Sequence, residues 1–408
     1  LYLNRGMAAS GRSITQMGTG NRSQVYRIVI SGYYGFHNSG DEAVLRSILL
    51  ALGEEGEAQG VRIEPIVLSA DPAWTSRMYG VESVRRMHPG DLWRALRSSD
   101  GLISGGGSLL QDATSAKTIP YYTGVMKLAQ LLGKPTFAYS QGIGPVNRRW
   151  MDPLIKGVMN RSAYVSVRDA ESAALLGRIG VPAERIDVVP DPVMGLPLPA
   201  GSQEAALGAA PAGQAAGALI AQAPPLVGVS LRRWRGDGAD LARAAEALVA
   251  LSKRQPVRLR FLPFHTPSDT ETSEEVMERL RGRLGDGSTA ELAAPGDDPQ
   301  QMLLEVSRCD ALLGMRLHAL IYAAGQMVPM IGLSYDPKID QFLNRLGLKA
   351  IGTTEHLDAD AFAAAASALL EDKAGWQAKH KPAIDLLKQQ SQKPAQQIIH
   401  LLRHTLSR

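Results

Sequence analysis

The chain has 408 residues, 45% hydrophobic and 21% charged, with 44 Lys and Arg against 40 Asp and Glu for a formal charge of +4. That balance excludes general disorder and a dedicated nucleic-acid binder, and at about 150 residues per domain the length predicts two or three domains. The single cysteine, Cys309, excludes an internal disulfide and a cysteine-based zinc knuckle; a reducing compartment fits, so the cytoplasm is the expected location.

Residues 1–24 lack the apolar run of a signal peptide and read as a disordered tail or tag. From there short β-prone apolar runs alternate with helical periods. The runs at 25–31, 64–69, 101–104, 135–140, 163–167 and 186–189 predict strands, with helices over 41–52, 121–132, 150–160 and 170–179. The charge-free stretch 205–231 is broken by Pro211, Pro224 and Pro225 and is rich in Ala and Gly, so it reads as a linker rather than a membrane span. The pattern then resumes with strands at 226–231, 257–262, 311–314 and 329–334. Helices are expected at 239–253, 272–284, 299–306, 317–325 and 339–346, then at 359–370 and 376–402.

Continuous Val/Ile/Leu runs separated by helices specify parallel sheets covered on both faces. The expectation is an α/β chain with two Rossmann-like domains, 25–198 and 225–370, joined by the Ala/Gly/Pro-rich segment 199–224. Residues 371–408 form C-terminal helices that are candidates for crossing back to the N-terminal domain. Their basic side chains, such as Lys379, Lys381, Lys388 and Lys393, are candidates for contact with an anionic membrane surface.

Ligands of open parallel sheets bind at the carboxyl ends of strands. The first such loop, GYYGFHNSGDEA at 32–43, offers a capping Asn38 and the carboxylates Asp41 and Glu42 at a helix start, but neither a dinucleotide fingerprint nor a phosphate loop. The second, SGGGSLLQD at 104–112, has three consecutive glycines, which suggest close backbone approach to something bound at Gly106 and Gly107, and ends in Asp112. SQGIGP at 140–145 offers Gln141, and SVRDAES at 166–172 places Arg168 at a strand end, suited to a carboxylate or phosphate. In the second half GMRLHALIYAAG at 314–325 carries Arg316 and His318, SYDPKID at 334–340 carries Lys338, and LPFHTPSDTE at 262–271 adds His265. Adjacent strand ends in one sheet would bring Arg316, His318 and Lys338 into one electropositive mouth, which pairing of Asp336 with Lys338 would weaken. The histidines are scattered, with no H-E-x-x-H and no G-x-S-x-G, so no metal site is expected.

Taken together and in this order, these motifs between about Tyr26 and Leu348 resemble the polysaccharide pyruvyltransferases, and look closest to the CsaB type that modifies secondary cell-wall polymers of bacteria with surface layers. The resemblance implies a GT-B-like pair of domains facing a cleft. It also implies transfer of the enolpyruvyl carbons of phosphoenolpyruvate to a sugar as a cyclic ketal, with release of phosphate. The acceptor implied is a lipid-diphosphate-linked disaccharide whose terminal N-acetylmannosamine is bridged at O4 and O6. It places Arg168, Arg316, His318 and Lys338 at the phosphoenolpyruvate site. No cofactor is needed, since phosphoenolpyruvate is itself the donor. The residue chemistry leaves Asp41, Glu42 and Asp112 as candidate bases for the sugar hydroxyls, with His318 binding the phosphate or giving it a proton. Asn38, Gly106, Gly107, Gln141 and His265 are the candidate acceptor contacts. The inner face of the cell membrane is a candidate place of work. A nucleotide-sugar glycosyltransferase of the same architecture and a non-catalytic sugar- or phosphate-binding protein are the alternatives.

Overall fold

The computed structural model describes residues 24–113, 115–202 and 223–405, so most of the expected tail 1–24 and linker 199–224 lies outside the described residues. The N-terminal half holds strands β1 (Gln24–Tyr34), β2 (Val61–Ser69), β3 (Glu82–Arg85), β4 (Gly101–Ser104), β5 (Gly107–Leu110), β6 (Thr136–Ile143), β7 (Tyr164–Val167) and β8 (Ile186–Val188). They form one parallel sheet in the order β3-β2-β1-β4-β6-β7-β8, with β5 pairing β6. Helices α1 (Ser39–Ala58) and α2 (Pro72–Tyr79) follow β1 and β2, and α3 (Pro89–Ser98), α4 (Thr118–Leu131), α5 (Asp152–Met159) and α6 (Ala170–Ile179) follow the later strands.

The strand order reverses at β1, so helices on its two sides cover opposite faces of the sheet. Leu96 of α3, Val125 of α4, Ile155 of α5 and Leu176 of α6 share one buried cluster with Val29 and Leu102, while Val44 and Ile48 of α1 pack into another. The second half repeats the plan with β9 (Leu226–Ser230), β10 (Arg258–Phe261), β11 (Thr289–Leu292), β12 (Ala311–Gly314), β13 (Met330–Ser334) and β14 (Gly352–Thr353), ordered β11-β10-β9-β12-β13-β14. Its helices are α7 (Ala239–Arg254), α8 (Ser268–Leu280), α9 (Pro299–Ser307), α10 (Leu317–Gly325), α11 (Pro337–Arg345) and α12 (Ala359–Glu371). The last helix, α13 (Lys373–Thr405), packs on α1, β6 and β7 of the first half. There Ala395, Ile398, Ile399 and Leu402 are buried, and Lys393 pairs with Asp187 at 2.9 Å.

Strand β5 falls inside SGGGSLLQD, where a loop was expected, and β3, β11 and β14 went unpredicted because they lie at sheet edges, with β3 reading ESVR and β11 TAEL. One open side removes the need for a continuous apolar run. Helices α2 and α3 do carry readable signals: Asp71 caps α2 by accepting from the Trp74 amide at 3.0 Å, Pro72 and Pro89 sit in the first turns, and Gly80 closes α2 in the left-handed region. Strand β6 runs on through Gln141 to Ile143, where a loop was expected. Among the described residues no helix is long and apolar enough to cross a membrane.

Candidate active site

Both sheets present their carboxyl ends to a cleft of about 410 Å³ between the halves. Strands β1, β5 and β7 lead into it from one side, carrying Tyr33, Ser108 and Arg168, and β9, β12 and β13 lead into it from the other. Its lining holds four fixed cations, Arg168, Arg232, Arg316 and Lys338, and a single carboxylate, Asp41. With its low-dielectric walls such a mouth favours a small polyanion.

Each cation is held by a specific partner. Asp269 of α8 takes Arg316 in a two-pronged pair, one limb 3.0 Å long, and accepts from the His265 amide as well. Arg168 donates to Ser108 Oγ at 2.8 Å and lies 3.6 Å from the buried Asp191 and 3.5 Å from Asp169. A Cβ at Gly142 would come within 2.9 Å of the Arg168 guanidinium, so that glycine of SQGIGP makes room for the arginine. Arg232 donates to the Tyr335 hydroxyl at 3.1 Å and lies over the Tyr335 and Trp234 rings. Lys338 does meet Asp336, at 3.4 Å, though both remain partly open to solvent. Helix α10 starts at Arg316 with no side-chain cap, leaving its first-turn amides and dipole free for an anion.

His318 reaches from α10 to the start of α1. A Cβ on Gly40 would lie 2.3 Å from its Nδ1, so only glycine admits the ring there. Its Nε2 stands 3.8 Å from Asp191, too far for a hydrogen bond. Burial favours neutral Asp191, but His318 and Arg168 outweigh it and hold the carboxyl below the usual range. Asp41 follows in the first turn of α1, and its Oδ1 is where a Cβ on Gly107 (φ +92°) would fall within 2.9 Å. Burial pushes its pKa up to about 6, against the pull of His318 and Arg168. Asn38 caps α1 by accepting from the Gly40 amide at 3.1 Å and also lines the cleft. His265 lines it with Nδ1 2.9 Å from Ser268 Oγ.

Four expected site residues are placed elsewhere. Glu42 is buried on the far side of α1, accepting from the Gly35 amide at 2.8 Å and the Tyr79 hydroxyl at 2.7 Å, where burial pushes its pKa up to about 7. Asp112 binds the amides of Asn147 (2.9 Å) and Arg148 (2.8 Å) and ties down the loop after β6. Burial opposes its charge, but those amides and Arg148 hold its pKa low, and it does not line the cleft. Asp112→Ala should cost about 2 kcal/mol of stability in urea denaturation by orphaning both amides, and leave turnover per folded molecule unchanged. Gln141 is fully buried and donates to Ser104 Oγ at 2.6 Å. Gly106 faces Val44 (2.8 Å from a built Cβ) and Pro192, so the triple glycine serves the protein's own packing as well as Gly107's place in the cleft.

Sequence reasoning missed Asp191, Arg232 and Tyr33. Arg232 follows β9 and was open to the same strand-end rule. Asp191 in VVPDPV had no signal, since it acts from behind Arg168 and His318 rather than in the cleft. Tyr33 lines the cleft and stacks on Phe36, ring centres 4.0 Å apart, with Arg86 over Phe36 at 5.3 Å. Among the described residues no three His, Cys, Asp or Glu side chains gather as a metal site.

Compared with protein families, the chain matches "polysaccharide pyruvyl transferase" over residues 38–337, well over half its length. The chain belongs to that family. It is therefore a transferase. No curated protein matches its sequence. Solved structures similar to the transferase include the UDP-GlcNAc 2-epimerase of Methanocaldococcus jannaschii (TM-score 0.60, 11% identity, 93% of this chain and 100% of that one). A putative UDP-N-acetylglucosamine 2-epimerase of Listeria monocytogenes gives 0.58 at 11% identity, with 94% and 97% covered. Anabaena HepE in complex with UDP and glucose gives 0.56 at 14% identity, with 93% and 100% covered. At these identities the likeness concerns the fold, the GT-B pair of parallel-sheet domains.

Proposed function

We propose that the transferase takes its pyruvyl unit from phosphoenolpyruvate and closes it as a ketal on two hydroxyls of a sugar. The acceptor is a lipid-diphosphate-linked disaccharide, bridged at O4 and O6 of its terminal N-acetylmannosamine, in the CsaB-type pathway to a secondary cell-wall polymer. The observation that carries this reading is the cleft itself, in which Arg168 of one half and Arg316, His318 and Lys338 of the other converge beside one carboxylate of raised pKa, Asp41. A donor with both a carboxylate and a phosphate calls for several cations in a small space.

In this reading Arg168, Arg316 and Lys338 hold the donor with the open start of α10. A proton adds to the methylene carbon, positive charge develops on its neighbour, and the first sugar oxygen adds there. The second sugar oxygen then displaces phosphate. The two hydroxyl protons balance the one gained by carbon and the one carried away on phosphate, which His318 delivers. Asp41 is the base for the sugar hydroxyls, poised near 6 so that it is ionised at neutral pH yet basic enough to accept a proton. Tyr33, Asn38, Gly107 and His265 line the acceptor side. No cofactor enters the path.

Incubation with phosphoenolpyruvate and a synthetic lipid-linked disaccharide should release phosphate and add a pyruvyl ketal detectable by mass spectrometry. Nucleotide release from a UDP-sugar, with no such adduct, would instead establish a glycosyltransferase on this fold. Lys338→Ala should raise the KM for phosphoenolpyruvate about tenfold, the loss of roughly 1.4 kcal/mol, and leave the acceptor KM nearly unchanged. Equal losses for both substrates would remove Lys338 from the donor site.

A further inference from the structure

Charge is distributed unevenly along the chain. Between Arg86 and Arg161 there are ten Lys and Arg against four Asp and Glu, a balance of +6 in a protein whose total is +4. This stretch builds α3, α4 and α5, which lie in one layer on one face of the N-terminal sheet. The same layer exposes large apolar side chains without partners: Met87 (71% exposed), Trp150 (59%), Trp93 (43%) and Leu154 (38%). Met87 follows β3, and Trp150 and Leu154 follow β6 at the start of α5, so topology sets them at the carboxyl ends of the strands, the end at which the cleft opens. The exposed Lys117 precedes α4 at that end, and the exposed Arg148 and Arg149 adjoin Trp150. Trp93 and the exposed Arg94 lie one turn into α3.

We infer that the cleft-side rim of the α3–α5 layer is a membrane-docking surface that seats the protein on an anionic bilayer. Tryptophan, leucine and methionine interspersed with arginine and lysine suit the boundary between headgroups and acyl chains, where apolar side chains enter and cations pair with lipid phosphates. A nucleic acid would use the cations but leave Met87 and Leu154 without a role. Arg94 and Arg148 of the rim do meet Asp91 and Asp112, but the C-terminal helix offers less, because Leu386 is its single large exposed apolar side chain among the described residues and Lys393 pairs with Asp187. A lipid-linked substrate would reach the cleft from such a surface without leaving the bilayer.

Sedimentation of the full chain with phosphatidylglycerol vesicles tests this apart from any activity. Binding should be strong at low salt, weak to phosphatidylcholine vesicles, and about tenfold weaker for Trp150→Ala/Leu154→Ala and for Arg149→Glu. Trp234→Ala, exposed on the other half, should bind as the parent does. Both rim variants should turn over a water-soluble disaccharide acceptor at the parental rate, so a failed pyruvyl assay and a failed docking surface are separate results. No binding to anionic vesicles, binding indifferent to the rim substitutions, or binding abolished instead by Lys379→Glu/Lys381→Glu would overturn the inference. A preference for oligonucleotide over vesicles, lost in Arg149→Glu but kept in Trp150→Ala/Leu154→Ala, would also overturn it.

Discussion

Arg168→Ala should lower kcat/KM for phosphoenolpyruvate by about 10³-fold, a loss of roughly 4 kcal/mol that fits the removal of one partner from a close, desolvated charge pair. The side chain does two things at once. It presents a guanidinium to the cleft and it offsets Asp191, which is buried behind it. Removing it therefore strips the cleft of a cation and leaves a buried carboxylate without its arginine partner. The folded protein should then become less stable above pH 4, because Arg168, with His318 and the Val193 amide, holds the pKa of Asp191 down. A depressed carboxyl pKa stabilises the fold above its unfolded value and loses that contribution as pH falls, so the parent and the variant should converge in strong acid. Arg168→Lys keeps the charge but not the planar fork, and should recover part of the stability and less of the donor affinity. Steady-state kinetics in both substrates, with urea denaturation at pH 4 and pH 8, separates these effects. An unchanged KM for phosphoenolpyruvate would remove Arg168 from the donor site.

Asp41→Asn should lower kcat by about 10²- to 10⁴-fold, the range expected when a general base is lost. Parental kcat should rise with pH through about 6 as Asp41 ionises, and this acid limb should vanish in the variant. Stability should move in the opposite direction from activity. Burial raises the folded-state pKa of Asp41 above the ordinary carboxylate value, so protonated Asp41 stabilises the fold at low pH and that contribution is lost as pH rises through about 6. Asn cannot ionise and avoids the cost. The variant should gain about 2–3 kcal/mol over the parent at pH 8, from a shift of roughly two pKa units, and match it below pH 4. Loss of activity with no gain in stability at high pH would mean that Asp41 is not the strained carboxylate of the cleft.

The two tests probe one arrangement. Arg168, Asp191 and Asp41 of the first half meet His318 of the second, and Gly40 and Gly107 let these side chains approach. Further contacts fix how the two sheets face each other there. Arg345 of α11 donates to the Arg168 carbonyl at 3.0 Å, and Arg46 of α1 to Gln300 of α9 at 2.8 Å. The cleft is thus built across the junction of the halves, and under the proposed function a substitution that lets them slip should act on donor affinity first.

The sequence alone determined the α/β alternation, the two sheets, and the strand-end loops in which chemistry would sit. Those follow from local periodicity and from the rule that parallel strands direct their carboxyl ends to one side. Helices 170–179 and 317–325 were legible to the residue because Asp169, Gly180 and an apolar strand bound them. Arg168, Arg316, His318 and Lys338 were legible because a cation at a strand end has few places to go but the cleft. Only the tertiary structure decided among the carboxylates. Asp41, Glu42 and Asp112 carry the same group in similar glycine-rich loops, yet one faces the cleft, one accepts from Tyr79 beneath α1, and one ties down the loop after β6. A carboxylate's role is set by which amides and cations the rest of the chain brings within 3–4 Å of it, and those neighbours come from elements tens or hundreds of residues away. Asp191 shows this most clearly, since it acquires its part only when the two halves place Arg168 and His318 on either side of it.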